Sequence, residues 1–285
     1  MALLEHATVE QLRRLLEFFP APKLKYEWPG LKGQKKEDAC QIIAGTGDHA
    51  RIGTFLMANF AHCRQHVLLL SRQNKESNPL AALPHSDPLG EPHGGVSFHL
   101  ATVQYSVYLL NPVEEVQVSV LWPIKIEQQD EITLLRTFVL ERDPSNYSGR
   151  PLLKAVRHFD EKKLASDLAQ LGLPGLDVNK GVKALWESKV VDAPRVRYKE
   201  SGSTNTVDMD DGMGLRDTKP EAYEEIVKKP LLNTNFRPQA DPEDPEKAQK
   251  IFQANPTFGR LGFTSYSEDP GDTDAVIKSI LENNQ

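Results

Sequence analysis

Apolar residues recur at helical spacing near the start of the chain. Val9, Leu12, Leu15, Leu16 and Phe19 share one face of a helix that Thr8 can cap, Gln11 completes a Thr-x-x-Gln capping box, and Pro20 and Pro22 end the run. After an extended piece with Tyr26 and Trp28, Gly30 and Gly33 mark a turn. Residues 34–44 then predict a second helix with Ala39, Cys40 and Ile43 inward. Asp48 can cap a third helix over about 49–72, with Ile52, Phe55, Leu56 and Phe60 on its apolar side. Residues 1–75 are therefore expected to form a helical module.

The period then breaks. Residues 76–95 hold four prolines and three glycines, too many breakers for regular structure, and are expected to be a linker or long loop. Residues 102–110, 116–126 and 132–140 are rich in β-branched and aromatic residues, with alternation such as Val116, Val118 and Val120, and predict an antiparallel meander. Helical spacing returns from Pro151 through Leu152, Leu153, Val156 and Phe159, continues at Leu164, Leu168 and Leu171, and restarts after Asp177 with Val182, Leu185 and Trp186. Residues 191–198 read as one more strand. Residues 96–200 are thus expected to be an α+β scaffold.

Residues 201–285 are polar and interrupted by proline, with acidic clusters at Asp208 to Asp211 and Asp241 to Glu246. That composition predicts a partly disordered interaction tail with apolar islands at 223–232, 248–252, 258–266 and 274–281. The expected fold class is α+β, with a helical head, a central antiparallel sheet flanked by helices, and an acidic tail.

Composition narrows this picture in two ways. No run approaches the 18 or more apolar residues of a membrane span, and residues 1–19 alternate charge with leucine, so no membrane partner and an intracellular location, cytoplasmic or nuclear, are expected. Two cysteines, Cys40 and Cys63, give no disulfide framework. The net charge of −6 hides an uneven distribution: +4 over residues 1–75, −6 over 76–150, +3 over 151–200 and −7 over 201–285. The basic segments permit local phosphate contact that the average charge would discourage.

The sharpest local motif is the run from Leu31 to Ile43, where a glycine loop and the Lys35-Lys36 pair precede a helical pattern. It resembles the second half of a SAP-type helix-extended-helix DNA-binding module, over residues 8–45. That resemblance implies a phosphate clamp, and Lys23, Lys25, Lys32, Lys35 and Lys36 are the candidate DNA-phosphate ligands. Lysine ammonium groups and the amides of a helix N-terminus both offer donors to an anion. The order of elements, including the meander from Val96 and the run Arg150 to His158, is similar to that of the centromere protein N family, which implies a pyrin-like head that helps bind nucleosomal DNA. No site residue is carried over from that family. A pyrin-like head is also consistent with death-fold protein interaction.

Signals for catalysis are weaker. Asp177 and Glu187-Ser-Lys189 have the spacing of a metal-dependent nuclease core, but such residues belong on adjacent strands and these fall in a helical pattern. His62 and His66 lie one helical turn apart without an evident third ligand, and Gly45-Thr-Gly-Asp48 lacks the lysine of a phosphate loop. No catalytic residue, cofactor or metal is assigned. The leading expectation is a non-enzymatic DNA-associated adaptor or scaffold subunit of a larger complex, with a protein partner on the tail. The alternatives are a pure protein-interaction subunit and, most remotely, the nuclease.

Overall fold

The computed structural model describes residues 12, 40–41, 65–83, 85–88, 92, 94–110, 112–138, 152–157, 161–209, 214–238, 252–263 and 271–285. Of the described part, 47% is strand and 29% helix, in a predominantly antiparallel sheet architecture. This overturns the expected fold class: the α+β scheme with a helical head and a partly disordered tail gives way to a sheet protein. The predicted head lies almost wholly outside the described residues. Leu12 and Cys40, which are described, are helical and buried.

The chain forms two compact units. One draws on residues 84–125 and 140–160 together with residues 1–60; the other comprises 61–83, 126–139 and 161–285. In the first unit, β2 (Ser86–Pro88) and β6 (Leu152–Arg157) both pair with β3 (Val96–Leu109), whose other neighbour is β4 (Glu114–Gln129). Leu152 to Arg157 was expected to be helical. Its apolar residues fit both periods, and pairing with Tyr105 to Leu109 of β3 selects the strand. In β3, Ala101, Val103, Val107 and Leu109 alternate inward, and His99 is buried among them.

The second unit is a sheet in the order β5-β1-β11-β10-β9-β7-β8, with four of its five helices packed on one face. Its strands are β1 (Gln65–Ser71), β5 (Ile132–Phe138), β7 (Val191–Glu200), β8 (Ser203–Asp208), β9 (Leu231–Pro238), β10 (Phe252–Asn255) and β11 (Arg260–Phe263). The helices are α1 (Glu161–Gln170), α2 (Asn179–Glu187), α3 (Leu215–Thr218), α4 (Pro220–Ile226) and α5 (Gly271–Glu282). Residues 65–71 were expected to end the third helix. They form β1 instead, because Val67, Leu68, Leu69 and Leu70 are all buried between β5 and β11, and a strand covered on both faces needs a continuous apolar run. The predicted helices at 164–171 and 178–186 are α1 and α2, and the predicted strand at 191–198 lies in β7.

An aromatic ladder anchors the core. Register places Phe252 opposite both Phe236 and Phe263, and their rings stack at 5.2 and 5.7 Å between centroids. Trp186 of α2 closes the ladder edge-on against Phe236 at 5.8 Å and Tyr223 at 4.8 Å. Ile277 and Ile280 of α5 complete the cluster. The acidic tail of the sequence is thus largely a folded contributor: Leu215, Tyr223, Leu231, Phe236, Phe252, Leu261, Phe263 and Ile280 are core residues. Its averaged composition misled because its charges gather in connecting segments while strands of four to eight residues carry the apolar surface.

Two close approaches fix the helices. A Cβ on Gly181 would lie 2.0 Å from the carbonyl oxygen of Ile280, so only glycine lets α2 reach α5. The buried Asp192 carboxylate accepts Trp186 Nε1 at 2.9 Å, its neighbour amide of Ala193 at 2.7 Å, and the amides of Arg216 at 3.2 Å and Asp217 at 3.3 Å. It ties β7 to α2 and to the start of α3, where its negative charge meets unpaired helix amides.

Candidate functional site

The five lysines assigned to phosphate contact, Lys23, Lys25, Lys32, Lys35 and Lys36, lie outside the described residues, as do His62 and Cys63. His66 sits in β1, so the helical spacing on which a His62–His66 pair would depend does not hold. The nuclease-like set is placed, and it does not converge. Asp177 precedes α2 and its Oδ1 accepts the amide of Asn179 at 2.9 Å, which closes a turn just ahead of the helix. Glu187 ends the same helix and Lys189 follows it with φ 63. Ten residues at about 1.5 Å rise put the two carboxylates on the order of 15 Å apart along the axis, too far to share a metal. Among the described residues no cluster of three or more histidine, cysteine or carboxylate side chains has metal-binding geometry.

Within the second unit, a cavity of about 1000 Å³ lies between α5 and the ends of β4 and β5. Its central charge is the buried Arg136 guanidinium, 2.6 Å from Glu127 and also paired with Asp274. Two carboxylates grip one cation from β4 and from α5, and the arrangement ties α5 to the sheet.

The other distinctive element is the β7–β8 hairpin. Ser201 and Gly202 both have positive φ, at 48 and 84, as the two central residues of a tight hairpin turn require. The register runs without a shift from Glu200↔Ser203 to Arg195↔Asp208. In such a hairpin the pair flanking the turn exchanges both backbone hydrogen bonds and alternate pairs do not. Ser203, Asn205 and Val207 therefore bond to β7, while the backbone groups of Thr204, Thr206 and Asp208 point out from the opposite edge. Strand β8 ends the sheet order. It carries no proline, lysine or bulge, the usual devices that blunt an edge, and Thr204 and Thr206 are β-branched. Lys229 steadies the hairpin from the helix side, 2.6 Å from Glu200 and 5.1 Å from the centroid of Tyr198.

The tail expectation hid this hairpin. Its signal was present as alternation on both sides of Ser201-Gly202, a dipeptide that favours a two-residue turn.

No family model, curated protein or solved structure matches the chain.

Proposed function

We propose that the chain is a non-enzymatic adaptor, a subunit of a larger complex, which receives an extended segment of a protein partner along the outer edge of β8. The carrying observation is the edge itself: six strand residues whose outward backbone groups, at Thr204, Thr206 and Asp208, have no strand beside them among the described residues. An edge of this length, about 20 Å at 3.3 Å per residue, offers a partner strand a row of backbone hydrogen bonds. Side chains on either side of the edge would set partner choice. Aggregation is the standing hazard of such an edge, and occupation by a partner removes it.

Contact with DNA phosphate through Lys23, Lys25, Lys32, Lys35 and Lys36 belongs to the same reading, and its support is the basic charge of residues 1–75 and the glycine-lysine pattern before residue 36. The resemblances to SAP-type modules and to the centromere protein N family favour it as well.

Strand addition is tested by placing a photo-crosslinking residue at Thr206 in the full chain in cells. A discrete adduct is expected there and none at Thr218, which is exposed on α3. Thr206→Pro removes an outward N–H that β7 does not use, so the hairpin should survive and partner association should fall at least tenfold. Association equal to wild type in a folded Thr206→Pro variant would rule out the edge.

A further inference from the structure

We infer that the exposed face of β7, β8 and β9 opposite the helix cluster, centred on Arg195, Arg197 and Lys199 of β7, is a binding face for the phosphate backbone of duplex DNA. This site is separate from the lysines of residues 1–75 and does not depend on them.

Sidedness follows from register. Directly paired residues of an antiparallel sheet project to the same face. Val196 pairs with Thr234 and Val207, Thr234 with Ala254, and Phe236 with Phe252; Val196, Thr234, Phe236, Ala254 and Phe252 are all buried on the helix-covered side. The alternate positions form the opposite face. There Arg195 stands opposite Asn235 and Asp208, Arg197 opposite Asn233 and Thr206, and Lys199 opposite Thr204. All three cations are exposed, as are Thr204, Thr206 and Asp208.

Charge separates the two faces as cleanly as hydrophobicity does. Glu200 turns to the helix side, where it meets Lys229, and Asp192 is buried among amides. On the open face the one anion beside the row among the described residues is Asp208. It approaches Arg195 at 3.5 Å, with both side chains more than half exposed, so solvent weakens the pair. Arg197 and Lys199 have threonine and asparagine as register neighbours. Three cations therefore repeat at every second position of one strand, within the segment 151–200 that carries +3. Like charges so spaced repel one another, and a polyanion laid along the row removes that repulsion.

The spacing suits a phosphate backbone. Two strand residues rise about 6.7 Å, about the through-space separation of neighbouring phosphates on one strand, because each axial step of roughly 3.4 Å also carries the phosphate around the duplex. Neighbouring cations can therefore meet neighbouring phosphates, and Asn233, Asn235 and Gln253 supply neutral donors beside the row. Single strands are held chiefly by stacking on aromatic rings. The neighbouring rings point the other way: Phe236 and Phe252 are buried, and Tyr198 faces Lys229 on the helix side. Backbone contact without base reading, and a preference for duplex, follow.

The test uses the full chain and a labelled 20-base-pair duplex (about two helical turns) over a salt series. Each phosphate contact contributes about −0.9 to the slope of log affinity against log salt. Arg195→Gln/Arg197→Gln/Lys199→Gln should flatten the slope by about 2 to 3 and weaken binding at low salt at least tenfold. Asp208→Asn and Thr204→Lys, which make the face more positive at exposed positions, should each tighten binding a few-fold. Lys35→Glu/Lys36→Glu should leave the contribution of this face intact. Unchanged slope and affinity in the folded triple variant, or no effect of Asp208→Asn and Thr204→Lys, overturns the assignment; absence of duplex binding by wild type overturns it too. Loss confined to Lys35→Glu/Lys36→Glu sinks this face while leaving DNA contact by residues 1–75 standing. Partner association through the β8 edge is scored separately by the crosslink at Thr206, so the two readings fail independently.

Discussion

Single residues set the tolerances of the second unit. Gly181 stands where any side chain would strike the backbone of α5, so Gly181→Ala should destabilise the unit by about 1–3 kcal/mol, seen as a lower denaturation midpoint. Asp192→Ala strands the indole N–H of Trp186 and the amides at the start of α3 in the interior. A loss of about 3 kcal/mol is expected, because buried donors without acceptors each cost about 1–3 kcal/mol. His99 offers a pH-dependent readout in the first unit. Burial holds its imidazole below the usual 6.5, so the unfolded chain binds the extra proton more readily than the folded one. Stability should be lost as pH falls through and below 6.5 and recovered above it. Denaturant midpoints should show this slope, and His99→Phe should reduce it. These residues were not legible as such in the sequence: a glycine in a helical pattern and an aspartate in a strand pattern reveal nothing until the element they touch, about 100 and 24 residues away respectively, is placed.

At the scale of elements, legibility depended on whether a segment's period matched its neighbours. Strands β3, β4 and β5 show alternation or a β-branched run bounded by turn residues, and helices α1 and α2 show a clear apolar stripe; all five lie where the pattern places them. Residues 65–71 and 152–157 were misread because Val67 to Leu70 in a row, and two apolar pairs around Lys154, suit a strand and a helix equally. Which one forms is decided by strands distant in sequence, β5 and β11 for the first, β3 for the second. The C-terminal segment was misread because an 85-residue average cannot register three short strands with buried apolar residues, β9, β10 and β11, and three docked helices, α3, α4 and α5. If β9, β10, β11 and α5 are core, limited proteolysis should leave residues 214–238, 252–263 and 271–285 uncut while the fold persists. Removal of residues 271–285 takes away Ile277 and Ile280 and the Asp274 partner of Arg136, and should unfold the second unit cooperatively. Early cutting within β9 or β11 in the native chain would refute their placement.

For the whole molecule, one sheet unit offers two surfaces that do not compete: the edge of β8, proposed to accept a partner strand, and the basic face of β7, proposed to meet a phosphate backbone. Both reside in a hairpin whose first strand the sequence placed in the scaffold and whose second strand composition assigned to a tail, and both arise because β7 alternates core residues with cations while β8 stops the sheet. Amide hydrogen exchange tests the claim of strand addition most directly. In the isolated chain, the amides of Asn205 and Val207 should exchange slowly through their bonds to β7, and those of Thr204, Thr206 and Asp208 fast, an alternation set by the hairpin register. In the complex purified from cells, Thr204, Thr206 and Asp208 should become protected while Asn205 and Val207 change little. Fast exchange at Thr204, Thr206 and Asp208 in that complex would contradict strand addition at β8.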